Sequence, residues 1–160
     1  MYRGFEPFFD ENSRVLILGS FPSVKSRESG FYYGNKQNRF FKTLSRFFGD
    51  TVGENIEEKK AFLRRYRIAL YDVIEECEIT GSADDKITAY RPADIDAVLK
   101  NAPIEKILLN GTKAYSVFRE FYPEKECVLM PSTSPANVRY DYDKWARELE
   151  FLIEQKIYLR

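Results

Sequence analysis

Between residues 25 and 46 the chain carries six basic side chains, Lys25, Arg27, Lys36, Arg39, Lys42 and Arg46, against the single acid Glu28. Phe31, Tyr32, Tyr33, Phe40 and Phe41 lie in the same segment, so cations are interleaved with aromatic rings. That mixture suits a surface on which cations follow a phosphate backbone while rings accept the face of an unstacked base. The competing use of rings is a core. Phe41, Leu44, Phe47 and Phe48 recur at helical spacing and are assigned to packing, whereas Tyr32, Tyr33 and Phe40 fit either use. Asn38 brings an amide that can donate to a leaving group or orient water, and it also stands where a helix N-cap belongs. Asn35 follows Gly34, where a turn is its expected use. A second chemical stretch, Met130-Pro131-Ser132-Thr133-Ser134-Pro135-Ala136-Asn137, sets three hydroxyls and an amide around two prolines. Prolines restrict the backbone, so such a loop can present donors to phosphates or to a groove of nucleic acid; Ser-Pro turns are also ordinary punctuation. Ser82, Asp84 and Asp85 form a third polar cluster, either a pocket wall that activates water or a solvated turn.

The residue types that are missing narrow the chemistry. The chain contains no histidine, which removes Ser-His and Cys-His nucleophile pairs, histidine metal sites and the usual general base. No metal site is expected, and neither paired carboxylates with metal spacing nor a phosphate-loop glycine pattern is present. The two cysteines, Cys77 and Cys127, are far apart in sequence and are expected to be reduced, buried small hydrophobes. With 25 basic and 25 acidic residues the net charge is zero, so a nucleic-acid partner has to be argued from local charge.

The elements that must position these residues are read from periodicity. At 160 residues, 44% hydrophobic and 16% aromatic, the chain suits one folded domain spanning 1–160. No segment approaches the apolar length of a bilayer span and the start lacks an apolar signal core, so a cytoplasmic, membrane-free protein is expected, with no feature demanding an oligomer, hence a monomer. Short apolar runs at residues 14–19, 68–74, 106–111 and 127–130 read as buried strands. Helices are predicted from Asn38 to Phe48 before Gly49, over 54–65, about 92–101, 112–121 and roughly 144–157. Strands alternating with helices predict an α/β fold: a central, mostly parallel four-stranded sheet covered on both faces in a three-layer α/β/α sandwich. In such sheets the ligand crevice lies beyond the carboxyl ends of the strands, which selects the loops 20–38, 72–85, 110–113 and 131–139.

With those loops in view, four stretches together resemble the uracil-DNA glycosylase superfamily, and within it the hypoxanthine-DNA glycosylase (DNA-deoxyinosine glycosylase) branch. They are LILGSFPS from Leu16 to Ser23, YYGNKQNRFF from Tyr32 to Phe41, IALYDVIEECEITGSADDKI from Ile68 to Ile87, and MPSTSPAN from Met130 to Asn137. The resemblance implies an α/β/α sandwich, no cofactor, and DNA containing deaminated bases as partner. It implies a base pocket formed by Gly19, Ser20, Phe21, Pro22 and Ser23 with Tyr33, Phe40 and Asn110, in which the Phe40 ring stacks on an extruded base. It implies that the fourth loop, with Ser132, Thr133, Ser134 and Asn137, meets DNA and that catalysis falls to Asn38, while the local excess of positive charge assigns phosphate contacts to Lys25, Lys36 and Arg39. Three positions depart from the uracil-directed pattern: Phe21 stands where those relatives carry Asp or Asn, Met130 where histidine is common, and Phe41 where tryptophan is usual. The expected activity is monofunctional hydrolysis of the N-glycosidic bond of a deaminated base, hypoxanthine first and uracil second, in base-excision repair. A non-catalytic module for damaged or single-stranded DNA, and a hydrolase of free nucleosides, are the alternatives that the same residues leave open.

Overall fold

The computed structural model describes residues 1–78 and 87–153. The described residues form two sheets. In the larger, β2 (Val15–Gly19), β3 (Ile68–Asp72), β6 (Lys106–Asn110) and β7 (Val128–Met130) run parallel in the order β3-β2-β6-β7. The smaller sheet is antiparallel, β1 (Tyr2–Arg3) and β5 (Ala89–Pro92) flanking β4 (Ile74–Glu78).

Because strand side chains alternate between faces, the continuous apolar runs of β2, β3 and β6 serve two cores at once. Val15, Ile17, Ile68, Leu70 and Leu108 face α2 (Phe40–Phe48), α3 (Ile56–Arg65) and α6 (Tyr142–Leu149) through Phe40, Leu44, Phe62, Leu63 and Trp145. Leu16, Leu18, Ala69, Ile107 and Leu109 face α4 (Ile95–Leu99) and α5 (Thr112–Phe121) through Ile95, Val98, Val117 and Phe118. The three-layer sandwich expected from the sequence is therefore present.

Several boundaries differ from the periodic reading. The run 68–74 is not one strand: β3 ends at Asp72, and beyond Val73 the chain enters the second sheet as β4. Val73 N–H donates to Gly19 O at 2.9 Å and Ile74 N–H to Ser20 O at 3.2 Å, so the crossing is pinned to the loop after β2. The predicted helix at 92–101 contracts to α4 because residues 89–92 pair with β4. A short helix, α1 (Val24–Ser29), lies inside the stretch expected to be loop; Ser23 caps it by accepting from Ser26 N–H at 3.1 Å. The closing helix starts at Tyr142, ahead of the predicted 144, and residues 154–157 of that prediction lie outside the described part of the chain. Cys77 is buried as expected, Cys127 is only partly so, and both are free thiols.

Register decides what shares the carboxyl edge of the sheet. Gly19 pairs with Asp72 and Asn110 with Met130. The chain steps from β2 to β3 on one side and later to β6 on the other, so the winding reverses between β2 and β6. A crevice at such a switch point is the expected ligand site of an open α/β sheet.

Candidate active site

A crevice of about 720 Å³ opens at that point, within the range of pockets that bury a small ligand. Its walls come from the loop after β2 (Gly19, Ser20, Phe21, Pro22, Ser23), from Tyr33, Asn35 and Asn38, from Asp72, from Asn110 to Lys113, and from Ser132 to Asn137. Four loops separated by most of the chain thus converge. Asp72 is the only carboxylate and Lys113 the only cation among the described residues lining it.

Asn38 lines the crevice, half-buried, two residues before α2, and Arg39 rather than Asn38 takes the N-cap position itself. The Asn38 Oδ1 accepts from Phe40 N–H at 2.9 Å, which satisfies one of the unpaired donors at the helix start. The cap and the chemical donor are different atoms of the same amide: among the described residues Nδ2 has no protein acceptor and remains available to a ligand. Asn35 keeps its turn role, Oδ1 accepting from Gln37 N–H at 3.0 Å and its carbonyl accepting from Asn38 N–H at 2.9 Å.

Asn110 is held from both ends of its amide. Thr133 N–H donates to its Oδ1 at 3.0 Å, and its Nδ2 donates to Thr133 Oγ1 at 3.0 Å and to the Tyr33 hydroxyl at 3.2 Å. The side chain is oriented in advance, as a residue that reads a ligand has to be. Tyr33 itself adopts φ 54°, an uncommon conformation for a non-glycine residue. Its ring stacks on Phe40 with centroids 4.0 Å apart.

That stack corrects the place expected for Phe40. The ring is 0% exposed, wedged among Tyr33, Phe41 and Trp145, and does not line the crevice. Of the aromatic run 31–33 and 40–41, Tyr32 and Tyr33 border the crevice, and Tyr33 is the less buried of the two. Sequence spacing could not separate Tyr33 from Phe40 because both lie in the same aromatic run. Tyr32 is also core: it is buried, its hydroxyl donates to Glu6 O at 2.8 Å, and burial, followed by the nearby Asp72, raises the phenol far above its ordinary pKa. Phe21 borders the crevice, yet it is buried in the same core cluster as Val73, Ile74 and Cys77, with the Arg27 guanidinium over its ring.

Three expected DNA contacts are internal struts. Arg39 donates through its backbone N–H to Thr133 O at 2.9 Å and through one terminal nitrogen to Ser134 O at 2.8 Å and Asn137 O at 2.7 Å, with its guanidinium over the Tyr140 ring. It clamps the fourth loop to the start of α2. Thr133 is 0% exposed and positions Asn110. Asn137 Nδ2 donates to Ser132 O at 2.9 Å, closing the loop on itself. Ser132 and Ser134 accept from Ser134 N–H and Ala136 N–H, and both still border the crevice. Arg27 lies over the rings of Tyr2 and Phe21. Lys25 and Lys36 are exposed, but neither lines the crevice, and Lys36 borders a neighbouring groove.

Asp72 and Lys113 were not among the candidates drawn from the sequence. Asp72 had a legible signal, a carboxylate at the carboxyl end of a buried strand. It is 5% exposed, and its Oδ1 comes so close to Gly19 that a Cβ built on that glycine would lie 2.6 Å away. Ser82, Asp84 and Asp85 lie outside the described residues.

The family model described as the uracil DNA glycosylase superfamily matches residues 6–155. The chain belongs to the uracil DNA glycosylase superfamily. Within it, a Methanosarcina acetivorans protein named hypoxanthine DNA glycosylase is 35% identical over 153 residues, covering 89% of this chain and 92% of the relative. A Methanosarcina barkeri protein of the same name is 32% identical over 114 residues, covering 70% and 72% of the two chains. A solution NMR structure of a Methanosarcina acetivorans protein, provisionally named a uracil DNA glycosylase, superposes with a TM-score of 0.79 at 32% identity over 94% of this chain and 97% of that one. The superfamily fold is thus that of this chain. None of the described helices is long and apolar enough to cross a membrane.

Proposed function

We propose that this protein is a DNA glycosylase that removes a deaminated base, hypoxanthine in preference to uracil, from a nucleotide turned out of the helix, the first step of base-excision repair. The observation that carries the reading is the 35% identity, sustained over nine-tenths of both chains, with a relative named hypoxanthine DNA glycosylase. The matched span 6–155 supports treating the chain as one glycosylase domain.

The chemistry available in the crevice agrees. Breaking the C1′–N bond leaves positive charge on the sugar and sends the bonding pair to the departing base. Water then gives its oxygen to C1′ and its proton to solvent or base, leaving an abasic sugar. What a catalyst supplies is a donor for the base and a partner for the sugar and water, with no covalent nucleophile and no cofactor. Asn38 Nδ2 is the donor in this reading, and one such preorganised donor contributes about 3 to 4 kcal/mol to a transition state that develops negative charge. Asp72, at the floor, is positioned to accept from the water or from the ring N–H that deamination creates on a base. Tyr33 supplies the aromatic wall and Asn110 a fixed amide. Phe21 supplies no amide or carboxylate where uracil-directed relatives hold water, which favours hypoxanthine over uracil.

The test is incubation with an oligonucleotide containing one deoxyinosine, followed by alkali. Strand scission at that position is the expected result. Tight binding without scission would instead identify a non-catalytic DNA-binding module, and competition by free inosine equal to that by DNA would identify a nucleoside hydrolase.

A further inference from the structure

A second cavity, about 940 Å³, lies between α2 and α3 and is larger than the crevice itself. Tyr33, Asn35 and Asn38 border both, so the two adjoin at the turn that carries the Tyr33 ring at φ 54°. None of the catalytic steps above uses the second cavity.

Its lining divides by chemistry. The floor is apolar, built from the Phe31 and Phe41 rings with Val52 and Ile56. Along the α2 side stand Lys36, Lys42 and Arg46, all exposed, and Lys36 and Lys42 form no ion pair among the described residues. Lys59 from α3 lies 5.0 Å over the Phe41 ring. Two acids, Glu54 and Glu57, border the α3 side, and Glu57 is shared with Lys60 at 4.0 Å. The groove is cationic along the wall that adjoins Asn38 and apolar in its depth.

We propose that this groove is a single-strand subsite that holds the nucleotide flanking the extruded base. The inference rests on the glycosylase reading for its starting point at the crevice. A flanking phosphate leaving the crevice passes Asn38 and meets Lys36 and Lys42 first, while its base reaches Phe41 and Ile56. Cations along one wall with ring faces below are the two elements of a sequence-tolerant single-strand groove. A duplex keeps its flanking bases stacked inside and would leave the apolar depth empty. A neutral peptide would leave the cation row unused, and a lipid surface, flat on this scale, would not enter the apolar depth.

The test uses the full chain and its Lys42→Glu, Arg46→Glu double variant, two exposed positions outside the catalytic crevice. Single-stranded oligonucleotides containing one deoxyinosine are lengthened one nucleotide at a time, first on the 5′ side and then on the 3′ side. Affinity and cleavage are both measured, and melting temperature verifies the fold. On one flank the parent should gain about fivefold to a hundredfold in affinity with the first or second added nucleotide, the range given by a base-aromatic stack. The double variant should lose most of that gain while cleaving the shortest substrate at the parental rate. A pre-formed duplex should show no such step. Absence of a step on both flanks, an undiminished step in the variant, or an equal step in duplex overturns the subsite. Failure of the parent to cleave at all would sink the glycosylase reading separately, and the affinity steps would still decide the groove.

Discussion

Replacing Asn38 separates two roles that one amide performs. Its Oδ1 caps α2 through Phe40 N–H at 2.9 Å, and its Nδ2 is left for the ligand. Asn38→Ala removes both. Loss of the cap costs about 1 kcal/mol of stability, which for a chain of this length lowers the melting temperature by roughly 2 to 4 °C. Loss of the donor costs about 2.7 to 4 kcal/mol in the transition state, a fall in cleavage rate of about a hundredfold to a thousandfold. Asn38→Asp retains an acceptor for Phe40 N–H and places a carboxylate at a helix start, where it is tolerated or favoured, but it has no N–H donor. It should therefore melt at or above the parent and still cleave at least about a hundredfold more slowly. The assay is single-turnover cleavage of a deoxyinosine oligonucleotide with enzyme in excess, so that product release does not mask the chemical step. Cleavage within about tenfold of the parent by a folded Asn38→Asp protein would refute the reasoning, because it would leave the amide with a capping role alone.

Other outcomes follow from the packing around the site. Phe40→Ala should destabilise the fold by about 3 to 5 kcal/mol, since the ring is fully buried between Tyr33 and Trp145; a stable variant that only loses base binding would return Phe40 to the pocket. Gly19→Ala should lower cleavage at least about tenfold, because its Cβ would stand 2.6 Å from Asp72 Oδ1 and 3.4 Å from the Tyr33 hydroxyl and something must shift. An unchanged rate would show that neither group needs its present position. Burial raises the Glu148 pKa, but hydrogen bonds from Lys144 and Lys106 outweigh it and leave the carboxyl below its ordinary value. A depressed folded-state pKa adds stability above the unfolded value that is lost as pH falls through the folded one, so Glu148→Gln should flatten the loss of stability below about pH 5. Parallel acid-denaturation curves for parent and variant would contradict this. With no histidine in the chain and an amide as donor, cleavage should vary little between about pH 6 and 9, and a steep change near neutrality would require another acid or base.

Local chemistry made much of the scaffold legible. The stretches Val15 to Leu18, Ile68 to Tyr71 and Ile107 to Leu109 are unbroken by charge because parallel strands are covered on both faces, and that pattern alone called for a sheet between two helical layers. The rule that ligands gather at strand carboxyl ends then selected the right loops, and the order of four motifs pointed to the superfamily. The split of 68–74 was not legible, since Leu70, Tyr71, Val73 and Ile74 have the same strand propensity whether they stay in one sheet or pass to a second. The pairing of Val73 and Ile74 with the loop after β2 decides that.

The division of labour within the site was likewise tertiary. Tyr33 and Phe40 are both aromatic, and Arg39 and Lys36 both cationic; composition assigns each pair the same uses. Burial under Trp145 makes Phe40 core, and three loop carbonyls within reach of Arg39 turn a candidate phosphate ligand into a strut. Asp72 reaches the crevice only because parallel register sets it beside Gly19. Types and spacing along the chain set which groups were available; which of them face a ligand depends on neighbours distant in sequence that occupy the hydrogen bonds and surfaces of the rest.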